Sequence, residues 1–178
     1  MPATYKYSNV SIVLHWLIAL LIIAAFALGT IMTDMKFSPT KLQYFSYHKW
    51  LGVTVLALVA IRLLTRLFNK APPYPANMGK LQTQAANATH ILLYVLMFAV
   101  PLSGYFYTLA SGYPVVYLGL FQLPVLMGPN PELKETLKEL HETLNYVMLA
   151  LVLLHVAAAL KHHFIDKDGL LNRMRPGH

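Results

Sequence analysis

Residues 140–163 read LHETLNYVMLALVLLHVAAALKHH, and the fold turns on this run. His141 and His155 lie fourteen residues apart in it. At a helical rise of about 1.5 Å per residue that spacing covers roughly 21 Å, and it is close to four whole turns, so both imidazoles project to nearly the same side. Two nitrogen ligands on one helix face, separated by most of a bilayer's depth, are what a helix needs to hold two stacked metal centres. The rest of the chain is then expected to supply the other half of each centre.

Composition agrees with a membrane setting. Of the 178 residues 57% are hydrophobic and only 12% are charged, which is too apolar for a soluble domain of this size. The apolar residues fall in blocks of about 20, the length that crosses a bilayer. There is no cysteine, which excludes disulfides, thiolate-held iron–sulfur clusters and a covalently attached c-type haem. A net charge of +7 would suit nucleic acid, but its distribution follows membrane topology instead, and no nucleic-acid partner is expected.

The expected architecture is an all-α membrane protein: one domain over residues 1–178, with spans near 9–32, 47–69, 85–110 and 132–163. The first block has too long an apolar core for a signal peptide and reads as a retained span. Residues 32–46 are expected to be a short polar connection. Ala71-Pro72-Pro73-Tyr74-Pro75 is an extended connector, followed by a polar stretch from Asn77 to Gln84. Pro101 and Gly104 lie inside the third span, where proline removes a backbone hydrogen bond. Residues 111–131 are apolar but interrupted by Gly112, Pro114, Gly119, Pro124, Gly128 and Pro129, so they are expected to form an interfacial lid and not a span.

Charge sets the orientation. One side receives nine basic residues, including Lys6, Arg62, Arg66, Lys70 and Arg173. The other side receives five, Lys36, Lys41, Lys49, Lys134 and Lys138, balanced by acids such as Asp34 and Glu142. The positive-inside rule makes the first side cytoplasmic, so this four-transmembrane-helix bundle has both termini in the cytoplasm and its lid outside.

Depth then pairs the histidines. His48 and His141 fall near the outer surface, whereas His15 and His155 fall in the inner leaflet. Each couple joins two different helices, which is how a bundle builds a cofactor site. Ionisable residues inside a membrane are costly and usually functional. Two neutral imidazoles without a carboxylate suit a haem iron, whose other four positions the porphyrin fills. Arg62, fourteen residues past His48, reaches the level of the inner couple, where it either meets haem propionates or snorkels to the headgroups. Gly52 either admits a flat macrocycle or serves helix packing. His90 has no evident partner and is either an interfacial histidine or a quinone contact. His162, His163 and His178 are expected to be solvated.

The motifs together resemble the bacterial cytochrome b561 family over nearly the whole chain. They are His15-Trp16; His48-Lys49-x-x-Gly52 with Arg62-Leu63-x-x-Arg66; His90-x-x-x-Tyr94 with Pro101-Leu102-x-Gly104; and His141-Glu142 with His155, Lys161-His162-His163 and Asp168-Gly169. The resemblance implies a multi-pass protein of the bacterial inner membrane carrying two haem b groups. It implies bis-histidine ligation by His15, His48, His141 and His155, in agreement with the depth argument. It further implies electron exchange with a quinone, and on one branch oxidation of superoxide coupled to reduction of ubiquinone. Lys49, beside His48, is the residue expected to steer superoxide. The rival expectation is a quinone-linked haem subunit serving a periplasmic redox protein or dehydrogenase.

Overall fold

The computed structural model describes residues 6–69, 71–75 and 78–177; Lys70, Asn77 and His178 of the sequence reading lie outside them. Four long helices carry the fold: α1 (Asn9–Asp34), α2 (Pro39–Phe68), α3 (Lys80–Ala110) and α4 (Pro131–Lys161). Each contains a stretch long and apolar enough to cross a membrane. Large apolar side chains such as Leu20, Ile23, Leu153 and Leu154 are about 60% exposed on the bundle's outside, a surface that only lipid would solvate favourably. The chain is a four-span helical membrane bundle.

Local signals set the helix ends. The Ser8 hydroxyl accepts from the Ser11 N–H at the start of α1, and the Asn130 side chain accepts from the Leu133 N–H at the start of α4, where Pro131 needs no donor partner. The expected polar connection over residues 32–46 is corrected. Ser38 caps Lys41 at 3.2 Å, Pro39 occupies the first turn, and α2 begins there instead of at Tyr47, which leaves only residues 35–38 between α1 and α2. Cap chemistry outweighs the polarity of Thr40, Lys41 and Gln43, whose side chains sit on helical turns that precede the apolar block. In the same way α3 begins at Lys80 and not at residue 85, with the Gln82 side chain accepting from the Gly79 N–H.

Chain neighbours pack most closely, α1 on α2, α2 on α3 and α3 on α4. One core cluster joins Leu14 and Ile18 of α1 to Val55 and Val59 of α2, and a second joins Leu96 and Val100 of α3 to Met148 of α4. Between α1 and α4 an apolar cavity of about 180 Å³ remains, lined by residues including Ile22, Phe26, Met148 and Val152.

The segment after α3 forms a small lid. Strands β1 (Val116–Tyr117) and β2 (Phe121–Gln122) pair antiparallel across a turn in which Leu118 and Gly119 have φ of 52° and 73°. The lid is held to the bundle by Trp50 Nε1 donating to the Val116 carbonyl at 2.8 Å, by Thr54 and Tyr117 hydroxyls 2.9 Å apart, and by the Tyr105 hydroxyl bonding the Pro124 carbonyl.

Both chain ends meet at the opposite side. After α4 a π-helical turn (His162–Asp166) leads into a tail that folds back on α1. The Tyr7 N–H donates to the Arg173 carbonyl at 3.3 Å, Trp16 Nε1 donates to the Met174 carbonyl at 2.8 Å, and the Arg173 guanidinium reaches the Pro73 carbonyl. His162 is not solvated as expected: its ring is 2.6 Å from the Asp168 carboxylate, because the π turn swings that acid back beneath it. His163 does not share this pairing. Replacing Trp16 by Phe removes one hydrogen bond, worth about 0.5–1.5 kcal/mol. The expected outcome is faster tryptic cleavage at Arg173, followed by mass spectrometry, with helical circular dichroism unchanged; an unaltered cleavage rate would show that the tail is held elsewhere.

Candidate metal centres

The interior brings together the four histidines that depth had paired. The rings of His48 on α2 and His141 on α4 have centroids 6.1 Å apart, and those of His15 on α1 and His155 on α4 are 6.3 Å apart. A metal–imidazole nitrogen bond of about 2.0 Å on each side, plus about 1.1 Å from nitrogen to ring centre, would put two imidazoles on opposite sides of one ion roughly 6.2 Å apart. Both couples therefore have the spacing of rings that share one metal ion.

The lid-side couple is oriented by backbone. His48 Nδ1 lies 3.0 Å from the Ala25 carbonyl of α1, and His141 Nδ1 lies 3.0 Å from the Val100 carbonyl of α3. A carbonyl only accepts, so each ring carries its proton on Nδ1 and leaves Nε2 free for a metal. The two contacts share a device. Four residues beyond each carbonyl stands a glycine, Gly29 after Ala25 and Gly104 after Val100. On a helix that position lies one turn above the carbonyl, on the same face, where a side chain would shield it. A Cβ on Gly29 would meet His48 Cε1 at 3.2 Å, and one on Gly104 would meet His141 Cε1 at 2.8 Å. The absence of a side chain is what lets each imidazole lie against its neighbouring helix. The Ser103 hydroxyl adds a contact to His141 Nδ1 at 3.0 Å.

Sequence reasoning noticed Gly104 only as part of a motif and missed Gly29. The signal that finds both is a glycine whose helix passes a histidine at equal depth. Gly52, one turn after His48, has Pro101 of α3 as its near neighbour, where an added Cβ would make an ordinary 4.0 Å contact, so it does not share the close approach to a ring seen at Gly29 and Gly104.

The couple nearer the chain ends is held differently. Arg62 donates from Nη1 to His15 Nδ1 at 2.9 Å and from Nε to the Tyr94 hydroxyl at 3.2 Å. A guanidinium has no acceptor, so here His15 Nδ1 accepts and the neutral ring's proton is on Nε2. A metal held by Nε2 would leave the ring proton on Nδ1, which Arg62 cannot accept, so the guanidinium would then need another acceptor. Among the described residues no acidic side chain pairs with Arg62. A ligand bearing its own carboxylates would supply one. His90 of α3 also enters this site, with its ring centroid 5.6 Å from that of His155.

Lys49 lies next to His48, half-buried, and no carboxylate among the described residues pairs with it. Lys134 and Lys138 instead pair with Glu135 at 3.3 Å and Glu142 at 4.0 Å, as expected of a solvated helix face.

Two imidazole couples between the helices of a four-span bundle, in a chain without cysteine and with no carboxylate among the described residues bonded to the paired rings, fit a membrane cytochrome of the b type. A family model described as prokaryotic cytochrome b561 matches residues 6–177, and the chain belongs to that family. It is 32% identical over 170 residues to cytochrome b561 homolog 2 of Escherichia coli (strain K12), covering 95% of this chain and 90% of that protein. Cytochrome b561 homolog 1 of the same organism is 33% identical over 172 residues, covering 96% of this chain and 97% of that one. A Yersinia pestis protein named "Probable superoxide oxidase CybB" is 31% identical over 179 residues, covering 96% of each chain. The chain is thus a multi-pass bacterial membrane protein of a haem b, electron-transferring and oxidoreductase family.

The glycine device gives a graded prediction. Gly104→Ala, whose methyl would sit 2.8 Å from the His141 ring, is expected to lower the haem content per chain more than Gly29→Ala, whose methyl would sit 3.2 Å from the His48 ring. Pyridine haemochrome content per purified chain measures both, and equal, undiminished haem in the two variants would remove the glycines from the account.

Proposed function

We propose that the chain carries two haem b groups, one between His48 and His141 and one between His15 and His155, and passes electrons across the bacterial inner membrane to ubiquinone. The observation that carries this reading is the pair of ring separations, 6.1 and 6.3 Å, at two depths of a single bundle. When bound, haem b would supply an iron that exchanges single electrons, and His48 with His141, and His15 with His155, would be the residues that hold it. Substrates would then be met at the protein surface near each couple and not at a metal.

The chain's own residues have distinct parts. His48 and His141 are held in one tautomer by the Ala25 and Val100 carbonyls. Arg62, without a protein carboxylate, is the cation offered to haem propionates near His15. The basic majority on the side of the chain ends supports a cytoplasmic position for that side, with the lid and Lys49 toward the periplasm. An uncompensated lysine beside His48 favours an anionic donor, and superoxide is the donor that the name of the Yersinia pestis relative suggests. In balance, two superoxide anions each give up one electron to become dioxygen, and one ubiquinone takes up both electrons and two protons to become ubiquinol.

Purified protein in detergent or liposomes is expected to reduce a ubiquinone analogue when supplied with superoxide alone. Stopped-flow haem reduction by superoxide should slow with rising ionic strength and fall several-fold in Lys49→Gln. A rate indifferent to salt and to that substitution would contradict steering by Lys49. Turnover only in the presence of a co-purifying periplasmic redox protein would instead assign the chain as that partner's quinone-linked haem subunit.

A further inference from the structure

Three of the four paired imidazoles have a partner for the ring nitrogen that faces away from the couple. His48 donates to the Ala25 carbonyl and His141 to the Val100 carbonyl beside Ser103, whereas His15 Nδ1 accepts from Arg62, a donor that a metal-bound ring would release to another acceptor. Among the described residues His155 has none. A ligating histidine almost always donates its second N–H to an acceptor, because the bond fixes the ring and raises the basicity of the nitrogen on the metal. In a low-dielectric bundle an unpaired N–H is also costly.

His90 lies within reach. Its centroid is 5.6 Å from that of His155 with the ring planes 67° apart. Two imidazoles joined by an N–H···N bond of about 3.0 Å, with about 1.1 Å from each nitrogen to its ring centre, stand roughly 5.2 Å apart. The observed gap exceeds that by a few tenths of an ångström, which a small rotation of either side chain closes. His90 itself makes no hydrogen bond among the described residues. One turn further along α3, Tyr94 is fixed by Arg62 and lies under the Arg66 guanidinium, whose carbon is 5.6 Å from the ring centre, so this face of α3 is anchored at the same level.

We propose that His90 is a positioning residue for His155: its imidazole accepts the second ring N–H of that ligand and so sets the electron affinity of the haem nearer the chain ends. This rests on the reading of His155 as an axial ligand. A neutral imidazole accepting from His155 pushes electron density toward the metal and favours the oxidised iron. Removing the acceptor should favour the reduced iron at that centre and leave the lid-side centre alone, since His48 and His141 keep their carbonyl partners. Gln, whose amide oxygen accepts at a similar reach, should restore the effect where Leu cannot.

The test is a spectroscopic redox titration of the purified di-haem protein, with low-temperature EPR of the oxidised form, in wild type, His90→Leu and His90→Gln. At a poise set to the wild-type midpoint of the chain-end haem, His90→Leu is expected to raise its reduced-to-oxidised ratio several-fold and to shift its low-spin g values. His90→Gln should lie near wild type, and the second haem should be unmoved in both. Unchanged potential and g values in His90→Leu, or equal shifts in the Leu and Gln variants, would overturn the proposal. His155→Ala, run alongside, separates the two readings: if it removes neither haem signal, the ligand assignment has failed and not the role of His90.

Discussion

An imidazole carries two nitrogens, and inside a membrane bundle neither can be left facing hydrocarbon without cost. That constraint organises this molecule. Each of the four paired rings turns toward another ring across the bundle at about the distance of a shared metal ion. On the lid side the remaining nitrogen is satisfied by a carbonyl of a neighbouring helix. Those carbonyls already accept within their own helix, and they can take a second donor because the residue one turn on is glycine. Near the chain ends the contacts are with side chains: His15 accepts from Arg62 and, by the inference above, His155 donates to His90.

The helices follow from this arrangement. α4 contributes one histidine to each couple, so its fourteen-residue spacing fixes the vertical separation, and α1 and α2 each need to supply only one. The segments between the couples are filled by apolar side chains, with Met148 of α4 midway between His141 and His155 and packed on Leu96 and Val100. Side chains outside the bundle are apolar for a different reason, since they face lipid. The lid and the folded-back tail close opposite ends, one fastened through Trp50 and the other through Trp16. Each tryptophan is a near neighbour of a paired histidine, which couples the covering segments to the two sites.

Much of this was legible in the sequence because the signals are strong in the physics that dominates here. Four apolar blocks must span, a histidine inside one must have a purpose, and depth along a span is counted residue by residue. Arg62 was placed at the correct level by the same count. Helix starts were less legible. The starts at Pro39 and Lys80 depend on a serine cap and a glutamine side chain, which hydropathy ignores. The glycines facing His48 and His141 were harder still, since their role depends on which residues of another helix pass at that depth. The tie between His162 and Asp168 required the π turn, for which the sequence carries no simple period.

The most direct measurement is the haem content and spin state of the purified protein from haem-replete cells. The account predicts two haem b per chain, both with the EPR signature of low-spin bis-imidazole iron, and retention of only one after His141→Ala. One haem per chain in the unmodified protein, or a high-spin signal from either centre, would contradict it.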